Sequence, residues 1–82
     1  MNPYLEQDDI RIFSKDVHPS NLVWHTDKEN RKITILNGNG WSFQRDNELP
    51  MELSVGDSLF IPEGQIHRIH KGTTDLVIKI EK

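Results

Sequence analysis

Apolar residues recur along the chain in short alternating runs separated by turn-forming residues. No stretch keeps the 3.6-residue apolar period that a globular helix needs. Prolines, glycines and asparagines interrupt the runs about every eight to twelve residues, a spacing typical of all-β sandwiches and barrels. The pattern predicts eight short strands: Ile10–Phe13, Asn21–His25, Lys32–Leu36, Trp41–Gln44, Met51–Leu53, Leu59–Ile61, Gln65–His70 and Leu76–Ile80.

Two of these strands are predicted to form a hairpin. Ile33 and Ile35 share one face of the first strand, and Trp41 and Phe43 share one face of the second, because side chains two apart point the same way. The intervening Asn37–Gly40 is rich in residues that tolerate positive φ. Strands this short bury their apolar faces by forming either a two-sheet sandwich or a small closed barrel.

The segment Gln65–His70 is predicted to present two different faces. Ile66, Arg68 and His70 lie on one side of the strand, and His67 and Ile69 lie on the other. His67 is therefore expected among apolar neighbours, and His70 is expected to face away from them.

The length of 82 residues predicts one domain that spans residues 1–82. The chain has no cysteine, so neither a disulfide nor a thiolate ligand or nucleophile is available. Because so small a chain buries a modest fraction of its surface, stability has to come from one compact core, which dimerisation would extend.

Charge and hydropathy exclude several classes of function. The formal net charge is -3 and no basic stretch occurs, which argues against nucleic acid as a partner. The apolar runs are far too short to span a membrane. The first nine residues are acidic and lack the apolar segment of a signal peptide, so a soluble cytoplasmic protein is expected.

The run from Gly56 to His67 carries a specific motif. Gly56 and the segment Pro62–Gly64 predict two turns that flank a short strand, and His67 lies on the next strand. The order is Gly, five residues, Pro, one residue, Gly, two residues and His, and it resembles the second sequence motif of the cupin superfamily. The family's final Asn position holds Lys71.

The first cupin motif is matched in part by the upstream segment. His25 and Gly38 occupy the positions of its first His and its final Gly, whereas Asp27 replaces the second His and Arg31 replaces the Glu. The two motifs together cover more than half of the chain. The chain also resembles very short bacterial and phage cupins in several short sequence segments: Trp24-His25, Ile35-Leu36, Gly40-Trp41, Asp46–Pro50 and His67-Arg68.

The resemblance implies an all-β double-stranded β-helix, the jelly-roll barrel of the RmlC-like proteins, with a site at its mouth. We interpret this site first as a pocket for a small polar or anionic ligand. Its expected donors are His25, Arg31 and His67, with Trp41 or Phe43 as an apolar wall. In this interpretation Arg31 points inward and pairs with Asp27 in place of a metal ion.

The alternative is a divalent-metal site of a dioxygenase- or isomerase-like enzyme. His25, Asp27 and His67 would ligate iron, manganese, nickel or zinc, because two imidazoles and a carboxylate suit these ions. No serine nucleophile motif is present, and the catalytic residues remain open. The resemblance further implies a homodimer formed through the outer sheet.

Overall fold

The computed structural model of the protein describes residues 3–82, and within that range it is built of β-strands and one 3-10 turn. Residues 1 and 2 of the acidic segment considered above lie outside the described range. The strands are β1 Tyr4–Gln7, β2 Ile10–Phe13, β3 Arg31–Asn37, β4 Ser42–Arg45, β5 Met51–Glu52, β6 Ser58–Ile61, β7 His67–His70 and β8 Leu76–Glu81, and the turn is Pro19–Asn21.

Two antiparallel sheets face each other. The larger has the strand order β1-β2-β8-β3-β6, and the smaller has the order β5-β4-β7. From β3 onward the chain passes from one sheet to the other between β3 and β4, β5 and β6, β6 and β7, and β7 and β8. The predicted all-β class is confirmed, because both sheets are antiparallel and no α-helix occurs in residues 3–82.

Seven of the eight predicted strands correspond to observed strands, with ends that differ by at most two residues, and one observed strand was not predicted. Leu76, Ile78 and Ile80 of β8 are all buried, as the alternation indicates. The unpredicted strand is β1, which forms a hairpin with β2 through a turn in which Asp8 has φ 56°. The acidic N-terminal segment was interpreted as a solvated stretch, so this strand was missed. In the structure Tyr4 packs against the core and Leu5 is exposed.

The predicted hairpin between β3 and β4 is wrong. β3 lies between β6 and β8 in the larger sheet, whereas β4 lies in the smaller sheet. The turn-forming segment therefore acts as a crossing between sheets, and Gly40 adopts φ 80° within it. Its backbone pairs with the approach to β8 instead, where Thr73 N–H donates to Asn39 O at 2.9 Å.

The predicted strand Asn21–His25 is also wrong, apart from its last residue. Pro19 begins a 3-10 turn that His18 caps by accepting a hydrogen bond from Ser20 N–H. A proline at this position lacks the N–H that a strand would need, and its fixed φ suits a turn. Only His25 pairs in β fashion, through a single bridge to His67 at the free edge of β7.

The interior is most densely packed around Trp41. Trp41, Ile35 and Leu76 are the largest fully buried side chains, and we call this region the packed end. The indole Nε1–H of Trp41 donates to Thr74 O at 2.7 Å, so its polar atom is satisfied although it is buried. A β-carbon added to Gly72 would collide with the backbone of Asn39 and with Trp41, so only glycine fits there.

In the part of the chain that the structure describes, no helix is both long enough and apolar enough to cross a membrane.

Candidate functional site

A cavity of about 430 Å³ lies between the two sheets. Side chains from both sheets line it, together with the irregular segment that follows the 3-10 turn. Most of its wall is apolar: Phe13, Leu22, Val23, Ile33, Ile35, Phe43, Leu53, Leu59, Ile61, Ile69, Leu76, Ile78 and Ile80. A cavity of this size and lining is typical of a small-molecule site.

Polar side chains gather at one place in the cavity wall. They are His25, Asp27, Arg31 and His67, and we call them the polar cluster. Sequence reasoning named all four residues for this site, and the structure brings them together. Asp27 is at their centre, because each of the other three approaches one of its carboxylate oxygens within 4 Å.

Backbone contacts hold the segment that carries His25 and Asp27. His25 N–H donates to His67 O at 3.0 Å, and His67 N–H donates to His25 O at 2.9 Å. Gly64 N–H donates to Asp27 O at 3.0 Å, and Glu63 N–H donates to the Asn30 side chain at 2.8 Å. The Pro-x-Gly turn of the sequence motif therefore anchors the upstream residues of the site, although they do not form the predicted strand.

His25, Asp27 and His67 converge closely enough to share one ion. His67 Nε2 lies 3.5 Å from Asp27 Oδ2, and His25 Nε2 lies 3.9 Å from Asp27 Oδ1. One ligand atom from each of the three lies within 4.8 Å of the others. The imidazole rings of the two histidines meet edge to face, with ring centroids 4.3 Å apart.

Both histidines are oriented in the same way. Nδ1 of His25 lies 3.0 Å from Val23 O, and Nδ1 of His67 lies 2.8 Å from Gln65 O. A backbone carbonyl only accepts hydrogen bonds, so each Nδ1 carries the hydrogen. In the neutral ring this leaves the Nε2 lone pair free, and both lone pairs point towards Asp27.

Burial differs across the cluster and shows which side is open. The His67 side chain is 5% exposed and that of Asp27 is 8% exposed, whereas that of His25 is 49% exposed. His25 therefore lies at the mouth of the cavity. Burial is the largest effect on the pKa of His67 and lowers it, while its bond to Gln65 O acts in the opposite direction, so the neutral ring is favoured.

Arg31 points into the cavity, as the inward-facing interpretation expects. Its Nη1 lies 3.4 Å from Asp27 Oδ1, and its Nη2 lies 3.6 Å from Glu29 Oε1. Both distances exceed those of charge-assisted hydrogen bonds, which are about 2.7–2.9 Å. The buried Nε has no hydrogen-bond partner among the described residues.

Trp41 is not part of this group. It lies at the packed end, wholly buried, and does not line the cavity. Phe43 supplies the aromatic wall instead, with its ring stacked 5.4 Å from that of His67. Two other histidines are also elsewhere: exposed His18 bonds Ser20, and His70 bonds Gln44 on the opposite face of β7, where sequence reasoning places it.

Sequence reasoning did not identify Thr26, Asn21 or Glu29. Thr26 and Asn21 line the cavity, and Glu29 contacts Arg31. No sequence signal marks Asn21 or Thr26, because they lie in an irregular segment. Glu29 carried a weak signal, since it is an acid two residues before the arginine of the motif.

Models of known protein families gave no match to this chain, and neither did the curated proteins.

Proposed function

We propose that the protein is a small cupin-type barrel that binds one divalent metal ion through His25, Asp27 and His67. The observation that carries the proposal is the convergence of their ligand atoms within 4.8 Å. A bound ion with open coordination positions would supply a Lewis acid or an oxygen-activating centre, as in dioxygenase- or isomerase-like cupins.

The strand pairing supports a double-stranded β-helix. β2 pairs with β8, His25 pairs with β7, β3 pairs with β6, and β4 pairs with β5. These pairings are nested one inside the next, so the chain behaves as one long hairpin wound across two sheets. A nested hairpin of this kind is the architecture of a jelly roll. The single His25 bridge then represents a strand reduced to one residue.

The orientation of the histidines supports metal binding. Metal-ligating histidines commonly donate their second ring N–H to a carbonyl or carboxylate, which fixes the ring and its tautomer. Both histidines of the cluster do so, and both turn an Nε2 lone pair towards Asp27. Lone pairs that face a carboxylate without a hydrogen between them call for a cation at that place.

Metal content and uptake test the proposal directly. The chain would be purified without a histidine tag, and iron, manganese, nickel and zinc measured before and after dialysis with each ion. We expect about one ion per chain, and binding at least roughly 100-fold weaker in Asp27→Asn and His67→Gln. His70→Gln serves as the matched control, because His70 lies on the same strand and faces away. Failure to retain or take up any of the four ions would overturn the proposal.

A second candidate is a metal-free pocket for a small polar or anionic ligand, with His25, Arg31 and His67 as donors. The approach of Arg31 to Asp27 at 3.4 Å favours it, because the guanidinium already supplies a positive charge beside that carboxylate. The two candidates predict opposite effects of Arg31→Gln. If a metal binds, removal of the competing cation strengthens metal uptake. If the pocket is metal-free, the variant loses affinity for small acids and gains no metal.

A further inference from the structure

The cavity changes from polar to apolar along the strands of both sheets. On β3, Arg31, Ile33 and Ile35 all point inward, and on β7 His67 is followed on the same face by Ile69. A strand rises about 3.3 Å per residue, so Ile35 lies roughly 13 Å beyond Arg31 along β3. An occupant that follows the strands therefore meets polar groups at one end only.

The strands that flank β3 in the larger sheet extend the apolar wall beside it. Within the larger sheet, Ile61 pairs with Arg31, and Leu59 and Ile80 pair with Ile33. Further along, Ile78 pairs with Ile35. All of these partners are aliphatic and line the cavity. The polar cluster is thus followed by successive layers of branched aliphatic side chains.

The other cationic residue in the cavity wall is already paired. Arg11 bonds Glu6 Oε2 through Nε at 2.9 Å and through Nη2 at 2.6 Å, and its guanidinium stacks 4.0 Å above the Tyr4 ring. Arg31 differs, because its two carboxylate contacts are long and its Nε is unpartnered. Of the two arginines in the cavity wall, Arg31 is therefore the weakly paired one.

A planar carboxylate suits the guanidinium of Arg31, because its contacts to Asp27 and Glu29 are both long. The planar fork of a guanidinium matches the two oxygens of a carboxylate. Asp27 and Glu29 both lie close to Arg31, so a doubly charged head such as phosphate would meet two negative neighbours. A head with a single negative charge suffers less repulsion.

We infer that the cavity takes a monocarboxylate with an unbranched apolar chain. Its carboxylate lies on Arg31, and its chain runs past Ile33 towards Ile35. The inference rests on the proposed function in so far as this cavity is the binding site. An ion bound by His25, Asp27 and His67 adds positive charge beside the head group and strengthens carboxylate binding.

A homologous series of ligands tests both ends of the inference on the wild-type protein. Straight-chain acids from butanoate to decanoate, below their aggregation concentrations, would be titrated by calorimetry. We expect affinity to rise about fourfold per added methylene until the cavity is full and then to level off. The primary alcohols and amines of equal length are expected to bind at least about tenfold more weakly than the acids.

Each element of the inference has an outcome that contradicts it. Affinity that is independent of chain length rejects the apolar chain, and alcohols or amines that equal the acids reject the carboxylate head. Running the series on metal-free and on zinc-loaded protein separates the two proposals. Zinc uptake without acid binding defeats this inference alone, whereas acid binding without uptake of any of the four ions defeats the metal proposal alone.

Variants on β3 locate the head group. Arg31→Gln is expected to lose the preference for acid over alcohol, and Arg31→Lys to keep part of it, because a lysine retains the charge without the fork. Lys32→Gln is the matched control, since the exposed Lys32 adjoins Arg31 and faces the opposite side of the strand. An unchanged preference in Arg31→Gln would place the head group elsewhere. If Arg31→Gln fails to fold, the titrations of acids, alcohols and amines on the wild-type protein still test whether the cavity takes a carboxylate with an apolar chain.

Discussion

The packed end and the polar cluster lie in the same interior, but they differ in how well their buried polar side-chain atoms are hydrogen-bonded. At the packed end the buried indole N–H of Trp41 donates a 2.7 Å bond to Thr74 O. In the polar cluster, Arg31 Nε has no partner within residues 3–82, and the contacts to Asp27 are 3.4 to 3.9 Å long. Groups that are buried without good partners reduce stability, so their arrangement points to a ligand rather than to support of the fold.

Truncation of Trp41 is expected to give the largest loss of stability. Trp41→Ala removes a side chain that is 0% exposed and leaves a cavity, so the free energy of unfolding should fall by about 3–5 kcal/mol. Trp24→Ala is the control, because Trp24 is 40% exposed and packs mainly under Arg68. Urea unfolding followed by circular dichroism measures both. Equal losses in the two variants would remove the distinction between the packed end and the surface.

Gly72→Ala tests how tightly the packed end is closed. The added β-carbon would collide with the Asn39 carbonyl and with Trp41, whose backbone nitrogen would be 2.7 Å away. Because the crowded atoms include backbone, we expect a loss of about 3 kcal/mol by thermal unfolding. Gly64→Ala has open space around it and strains only a φ of 81°, so about 1 kcal/mol is expected. A larger loss at Gly64 would contradict this view of the packing.

In the polar cluster, Asp27→Asn is expected to separate binding from stability. The substitution keeps the shape of the side chain and removes charge contacts that are buried but long, so stability should fall by about 1–2 kcal/mol. Metal uptake, measured on the same sample, should be lost. A loss of stability as large as that of Trp41→Ala would show that the cluster supports the fold.

The smallest effect is expected for His70, which lies on β7 but on the face opposite the cluster. Burial is the main cause that lowers the pKa of His70 from its ordinary value of 6.5, and neighbouring Arg68 contributes. As pH falls, the unfolded chain therefore takes up this proton before the folded chain does, and stability decreases below about pH 6.5. His70→Gln should make the unfolding midpoint less dependent on pH between about 5 and 7.

The sequence predicted strands better than strand partners. Alternation alone placed β8 and β7 correctly, because a buried face repeats every second residue. It did not reveal that β3 pairs with β6 rather than β4, since a turn-rich segment such as Asn37–Gly40 is compatible with a hairpin and with a crossing between sheets. Pairing between distant segments depends on the whole fold and leaves no local signature.

The sequence predicted the four residues that meet in the polar cluster, but it wrongly added Trp41 to the pocket and predicted the geometry only in part. The inward direction of Arg31 follows from alternation, because it precedes the buried Ile33 by two positions. Alternation did not apply to His25 and Asp27, because their segment is irregular and is positioned by Gly64 and Glu63. The cavity was beyond sequence reasoning, since its volume depends on how far apart the two sheets pack.

The nested pairing of the strands also bears on how the site forms during folding. Among the nested pairings, β4 and β5 enclose the shortest loop. Closing a longer loop has a larger entropic cost, so pairing within the nested set is expected to proceed outward from them. The His25 bridge to His67 lies near the outside of that order, second only to the β2–β8 ladder. The two halves of the candidate site then stay apart until nearly all of the two sheets have formed. A partly folded chain would hold His67 without His25 or Asp27, so tight binding would report that folding is almost complete.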